Sequence, residues 1–293
     1  MKERKNQLPA ECGIFERIDA LYFDLTKTEK RLASYLAKHR SEPQYMSISE
    51  LAQASEVAEA TISRFCRKLG LKGFNSFKLE LAKAAFARQL NSAEAEGVET
   101  GGADDVASLA QTLGQAHVEA IWQTREFIVE ADYQKAVELL QAARHVYCMG
   151  LGGSHVLAYE AFSLFTTVDP KFSVLNDPHM QSYMTANFDE QDLILYFSYS
   201  GATKDLLELF ALAQKRQVKI ILISRYPNSP GAKYADLTLQ CGSNESALKS
   251  GSVSARIAQL MVIDILFELY IKADSKTLAA RERAMDALSD KML

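Results

Sequence analysis

The sequence predicts two folded parts of different class (α + α/β): an all-α N-terminal domain, then a three-layer α/β/α domain on a five-stranded parallel sheet. Three observations predict it. The apolar residues of 15–22, 29–37, 47–55 and 59–69 have helical spacing, whereas from residue 145 onward short apolar runs alternate with amphipathic helical patterns. Between the two, residues 91–105 are acidic, carry glycines and lack an apolar stripe, so they read as a linker. The expected division is therefore residues 1–90, a linker over 91–105, and residues 106–293.

Taken in order, residues 1–14 form a polar leader without the apolar region of a signal peptide. A short helix over 15–22 follows. Thr28 precedes a helix over 29–37 that ends before Pro43. Ser47 and Glu50 have capping-box spacing and start a short helix ending near Ser55. A brief turn through Val57 leads to a helix over 59–69, which Gly70 terminates. Two helices joined this closely predict a helix-turn-helix.

Ile62, Phe65 and Leu69 share one face of the second helix and must pack inward. Ala60, Ser63 and Arg67 lie opposite, flanked by Thr61, Arg64 and Lys68, so the outward face is small, hydroxylated or cationic. Such a helix fits a DNA major groove, with donors for base edges and charges for phosphates. Lys72, Lys78, Lys83 and Arg88 extend the basic surface, and between residues 61 and 88 only Glu80 is acidic. Residues 1–90 carry a net charge of +5 and the remainder −9. A basic front joined to an acidic body points to a polyanionic partner for the front alone. The candidate DNA contacts are Ser47, Ser49, Ala60, Thr61, Ser63, Arg64, Arg67, Lys68 and Lys72.

Helices over 106–129 and 133–143 lead into the second domain. Strands are predicted over 145–149, 171–175, 192–198, 218–223 and 236–240. Helices over 155–166, 178–186, 203–215 and 252–271 are interleaved, with a terminal helix over 275–288. The run Leu193-Ile194-Leu195-Tyr196-Phe197 suits a strand buried on both faces. It ends in Ser198-Tyr199-Ser200-Gly201-Ala202-Thr203, a hydroxyl-rich turn opening a helix. Hydroxyl donors, a glycine and free helix N–H groups together make an anion site, with phosphate its natural occupant. Gly150-Leu151-Gly152-Gly153-Ser154 forms a second turn of this kind. Two such turns fit one ligand held across neighbouring strand ends.

The 48% hydrophobic and 24% charged residues are ordinary for a folded soluble protein. The longest apolar segment, 260–271, carries Asp264 and Glu268 and reads as a core helix, so no membrane partner is expected and the location is cytoplasmic. Cys12, Cys66, Cys148 and Cys241 are scattered, without a Cys-x-x-Cys pair or a Cys/His cluster, so neither a zinc site nor a disulfide framework is indicated. No metal or nucleotide cofactor is indicated.

The chain resembles bacterial RpiR-type transcriptional regulators, an N-terminal helix-turn-helix joined to a C-terminal sugar isomerase (SIS) domain. Met46-Ser47-Ile48-Ser49-Glu50-Leu51-Ala52, the string from Glu59 to Gly70, and Lys72-Gly73-Phe74 carry the resemblance in the first domain. The two glycine- and serine-bearing turns, with Ser254-Ala255-Arg256-Ile257-Ala258-Gln259-Leu260, carry it in the second. Ala58 departs from the family, which usually places a capping serine there; losing that cap costs about 1 kcal/mol. The resemblance implies a sensor of a phosphorylated sugar or amino sugar that binds an operator in double-stranded DNA as a homodimer or homotetramer. By matching positions, Ser198, Ser200 and Thr203 hold the phosphate, Gly201 permits its approach, and Ser154 with Gly152 and Gly153 meets the sugar or phosphate. Glu245, Ser252 and Arg256 are candidates for closing the site.

The alternative is a sugar-phosphate (aldose–ketose) isomerase, which needs a base beside C1–C2 and an acid for the ring oxygen. Only His155 and His179 fall near strand ends, and Glu245 with His179 is the one pair that could be assembled. The residues therefore favour a sensor over an enzyme.

Overall fold

The computed structural model describes residues 13–40, 42–96, 106–243 and 252–289. In the N-terminal part, α1 (Ile14–Ala20) is followed by a 3₁₀ turn at Tyr22–Asp24, then α2 (Lys27–Lys38). The cap of α2 is Thr26, not the expected Thr28: its hydroxyl accepts from the Glu29 N–H and the Glu29 carboxylate accepts from the Thr26 N–H. The Thr26–Glu29 pair has the Ser/Thr-x-x-Glu spacing, which Thr28 lacks.

α3 (Ile48–Ala54) begins at the expected Ser47–Glu50 capping box. α4 (Glu59–Lys68) begins at Ala58, which provides no side-chain cap. Ile62, Phe65 and Leu69 are fully buried with Leu32, Leu36 and Leu51. The turn between α3 and α4 is a Schellman cap: the Glu56 N–H donates to the Gln53 carbonyl and the Val57 N–H to that of Ala52. Glu56 accepts a φ of 53° there, and Arg31 holds it through its carbonyl at 3.1 Å and its carboxylate at 3.6 Å.

α5 (Phe74–Glu96) runs six residues into the expected linker. Residues 91–96 are rich in alanine and glutamate, whose helix propensity outweighs the missing apolar stripe. The rest of that linker, 97–105, lies outside the described residues. Next come α6 (Val106–Glu126) and α7 (Glu130–Ala142). The chain divides into two compact units, Met1–Gln111 and Thr112–Leu293, so the division falls within α6.

The second unit alternates strand and helix as expected: β1 (His145–Gly150), α8 (Gly153–Phe165), β2 (Phe172–Leu175), α9 (Pro178–Thr185), β3 (Asp192–Phe197), α10 (Lys204–Lys215), β4 (Lys219–Ser224) and β5 (Leu237–Gln240). α11 (Val253–Ala273) and α12 (Ser275–Ser289) complete it. All strands are parallel, in the order β2-β1-β3-β4-β5. Every residue of β3 is buried, as befits a central strand covered on both faces. Met149, Ile194, Tyr196, Ile220 and Leu222 pack on Leu206, Leu209 and Phe210 of α10. On the opposite face, Phe165, Phe172, Phe267 and Tyr270 form a cluster of aromatic rings.

The apolar segment 260–271 is indeed a core helix, part of α11, and no helix among the described residues is long and apolar enough to cross a membrane. Cys66, Cys148 and Cys241 are buried thiols. Burial pushes Cys66 up to about 11 and Cys241 up to about 12, and raises Cys148 as well, so all three are unreactive core fillers.

Candidate DNA interface and ligand site

In the first unit, α4 turns its apolar face inward and presents Ala60, Arg64 and Arg67 to solvent, with exposed Lys72 beyond its end. Arg67 forms no ion pair among the described residues. The other expected contacts divide differently. Lys68 sends its ammonium inward, to the Glu29 carboxylate at 2.7 Å and the Asp24 carbonyl at 2.8 Å, tying α4 to α2. Thr61 is buried, and its hydroxyl lies 3.5 Å from Arg64 Nη2. Ser63 is half-buried. Ser47 uses its hydroxyl as the α3 cap, and Ser49 donates to Glu59 Oε1 at 2.6 Å, linking the starts of α3 and α4. The exposed cationic face thus narrows to Arg64, Arg67 and Lys72, side chains of the kind that can meet phosphates and base edges.

In the second unit, the strand order reverses direction between β1 and β3, and open α/β sheets bind ligands at that switch point. Gly150 pairs with Phe197, so the turns that follow β1 and β3 leave the sheet side by side. They open into a cavity of about 270 Å³. Gly152, Gly153 and Ser154 line it from the α8 turn; Ser198, Ser200 and Thr203 line it from the α10 turn; Ser252 and Arg256 come from the start of α11. Eight of the ten residues expected from sequence therefore meet in one place. Gly201 shapes the wall without lining it, and Glu245 lies outside the described residues.

The α10 turn is built around Gly201. Its φ is +59°, and an added Cβ would collide with the Ser229 hydroxyl, so both conformation and space demand glycine. Ser198 accepts the Gly201 N–H at 3.1 Å, so this hydroxyl sets the turn. The Ser200 hydroxyl makes no hydrogen bond among the described residues, and that of Thr203, the N-cap of α10, caps nothing. These two hydroxyls and the first N–H groups of α10 are donors of the kind that can meet an anion. From behind, the Ser224 hydroxyl and the Arg225 N–H both donate to the Tyr199 carbonyl at 3.0 Å. On the β1 side, Gly152 takes φ 56° and ψ −128° as the α8 N-cap, and Arg256 lies against Gly153, its Nε 4.0 Å from where a Cβ would stand.

Sequence reasoning passed over three supporting residues. Gln181 is buried and bridges the ends of β1 and β2, donating to the carbonyls of Gly150 at 3.2 Å and Leu175 at 2.8 Å. Arg225 is buried with its guanidinium 4.7 Å from the Phe127 ring. Gln259 lines the cavity beside Arg256; it stands within the family-like string, but only packing reveals its position. His155 and His179 do not line the cavity, and no histidine or carboxylate does among the described residues.

The helix-turn-helix domain model of the RpiR family matches residues 12–88, and the SIS domain model matches 139–269. An uncharacterized HTH-type transcriptional regulator of Caldanaerobacter subterraneus subsp. tengcongensis is 34% identical over 244 residues, covering 83% of this chain and 85% of that one. The chain belongs to the RpiR family of transcriptional regulators. Another such regulator, from Clostridium perfringens, is 30% identical over 89% of this chain and 92% of its own. The fold is shared with the Vibrio vulnificus NanR protein complexed with ManNAc-6P, at a TM-score of 0.62 and 20% identity over 96% of this chain and all of that one. As an RpiR-family regulator, the protein is a DNA-binding transcription factor whose helix-turn-helix is the reader.

Proposed function

We propose that the second unit senses a phosphorylated sugar or amino sugar and that its occupancy modulates operator binding, placing carbohydrate-metabolism genes under control of their own chemistry. The observation that carries this is the pair of uncommitted hydroxyls, Ser200 and Thr203, at the start of α10, facing a cavity at the sheet's switch point. Phosphate would sit at the α10 N-terminus, with Ser154, Ser252 and Arg256 around the remainder of the ligand. That the NanR protein of the same fold binds ManNAc-6P supports this class of ligand. We assign the reader to residues 1–90 and the sensor to 106–293, acting in the cytoplasm where the operator is. A homodimer or homotetramer supplies the two reading heads that useful specificity requires. Exposed Leu113, Val118, Ile121 and Trp122 on α6 favour the sensor as the assembly surface.

Thermal-shift screening of sugar phosphates, amino sugar phosphates and their N-acetyl forms tests the reading. At least one should raise the melting temperature, and none should be converted between aldose and ketose. A complete absence of stabilisation, or measurable turnover, would contradict it.

A further inference from the structure

Gln259 stands one helical turn beyond Ala255 and three residues beyond Arg256, so Arg256 and Gln259 share a face of α11. Both line the cavity. Gln259 is only 2% exposed. Its Nε2 donates to the Ala255 carbonyl at 3.4 Å, while its Oε1, also buried, accepts no hydrogen bond from any described residue. Turning the amide over would set its oxygen against that carbonyl, two acceptors face to face. The amide therefore has one favoured sense, and it leaves a buried acceptor unsatisfied on a residue that lines the cavity. Buried acceptors in native proteins are nearly always paired, and one left unmatched is costly.

The rest of the cavity is rich in donors. Ser200, Thr203 and the α10 N-terminus suit an anion, and Arg256 is a cation. An amide oxygen repels phosphate and carboxylate but accepts from a hydroxyl or an amide N–H. We propose that Gln259 is a specificity-determining residue: its Oε1 accepts a hydrogen bond from a hydroxyl or N–H on the sugar body, which fixes the direction of the ligand with its phosphate at the α10 turn. The assignment rests on the phosphosugar reading above and deepens it, naming the class as phosphosugars with a neutral donor away from the phosphate.

The test is calorimetric titration of the full-length protein with glucose 6-phosphate, glucosamine 6-phosphate and N-acetylmannosamine 6-phosphate, with inorganic phosphate as competitor. Gln259→Leu should weaken the tightest phosphosugar by roughly 5- to 150-fold, the range for leaving a buried partner unpaired. Inorganic phosphate should compete equally well in both proteins. On the wild-type protein, derivatives of that ligand lacking one hydroxyl or amide donor should show the same loss at one position, a result that needs no folded variant. Phosphosugar binding with wild-type affinity in Gln259→Leu, or no loss from any donor-deleted derivative, would overturn the role of Gln259 alone. No phosphosugar binding to the wild-type protein would overturn the functional reading and this inference together.

Discussion

Arg67 and Lys68 are neighbours on one helix with the same charge and opposite duties. Arg67 points outward without an ion pair among the described residues, whereas Lys68 neutralises Glu29 inside the unit. Arg67→Ala should abolish operator binding in a gel shift while leaving the melting temperature unchanged; retained binding would contradict its role. Lys68→Met should instead lower stability by roughly 1–3 kcal/mol, because it strands a buried carboxylate. Burial alone would raise the Glu29 carboxyl, but hydrogen bonds from Lys68 and Thr26, with the Lys68 charge, hold it below its ordinary value. A lowered folded value means that the pair stabilises at neutral pH and loses this contribution as pH falls through that value. The urea midpoints of wild type and Lys68→Met should therefore converge in acid. Charge patterning could place both cations on the outer side of α4 but could not separate them, since the partner of Lys68 is 39 residues away. Likewise the hydroxyls of the α10 turn were legible as donors, but only the bond from the Gly201 N–H to the Ser198 hydroxyl shows that Ser198 shapes the turn, while the Thr203 hydroxyl caps nothing.

At the scale of the element, α3, α4 and α10 all end in Schellman caps, and only α4 supplies a glycine, Gly70, at the left-handed position. α10 uses exposed Gln217 at φ 59°: its N–H donates to the Gln214 carbonyl and that of Val218 to the Ala213 carbonyl. A side chain in that conformation costs roughly 1 kcal/mol or more. Gln217→Gly should stabilise the protein by about 1 kcal/mol in urea unfolding, and a destabilised variant would contradict the strain. Strands and helices of the second unit were legible where apolar pattern and burial agree, as in the continuous apolar run of β3, which is buried throughout. The end of α5 was not, because residues 91–96 have helix propensity without an apolar stripe and the two signals conflict. Gln259 escaped for another reason: a glutamine in an apolar helix pattern signals nothing until the cavity beside it is known.

Across the whole molecule, one chain joins a DNA reader to a cavity that suits a phosphosugar, and regulation requires that the two sites share free energy. Linkage makes the coupling reciprocal, so an effector that changes operator affinity must itself bind DNA-bound and free protein differently. A coupling of about 1–3 kcal/mol corresponds to a 5–150-fold change, either release or recruitment. Operator affinity measured by fluorescence anisotropy, with and without saturating phosphosugar, for wild type and Ser200→Ala is the most direct measurement. The wild-type protein should change its operator affinity within that range, while Ser200→Ala binds the operator equally well and no longer responds. Operator affinity indifferent to a bound phosphosugar, or a Ser200→Ala protein that responds as the wild type does, would contradict the account.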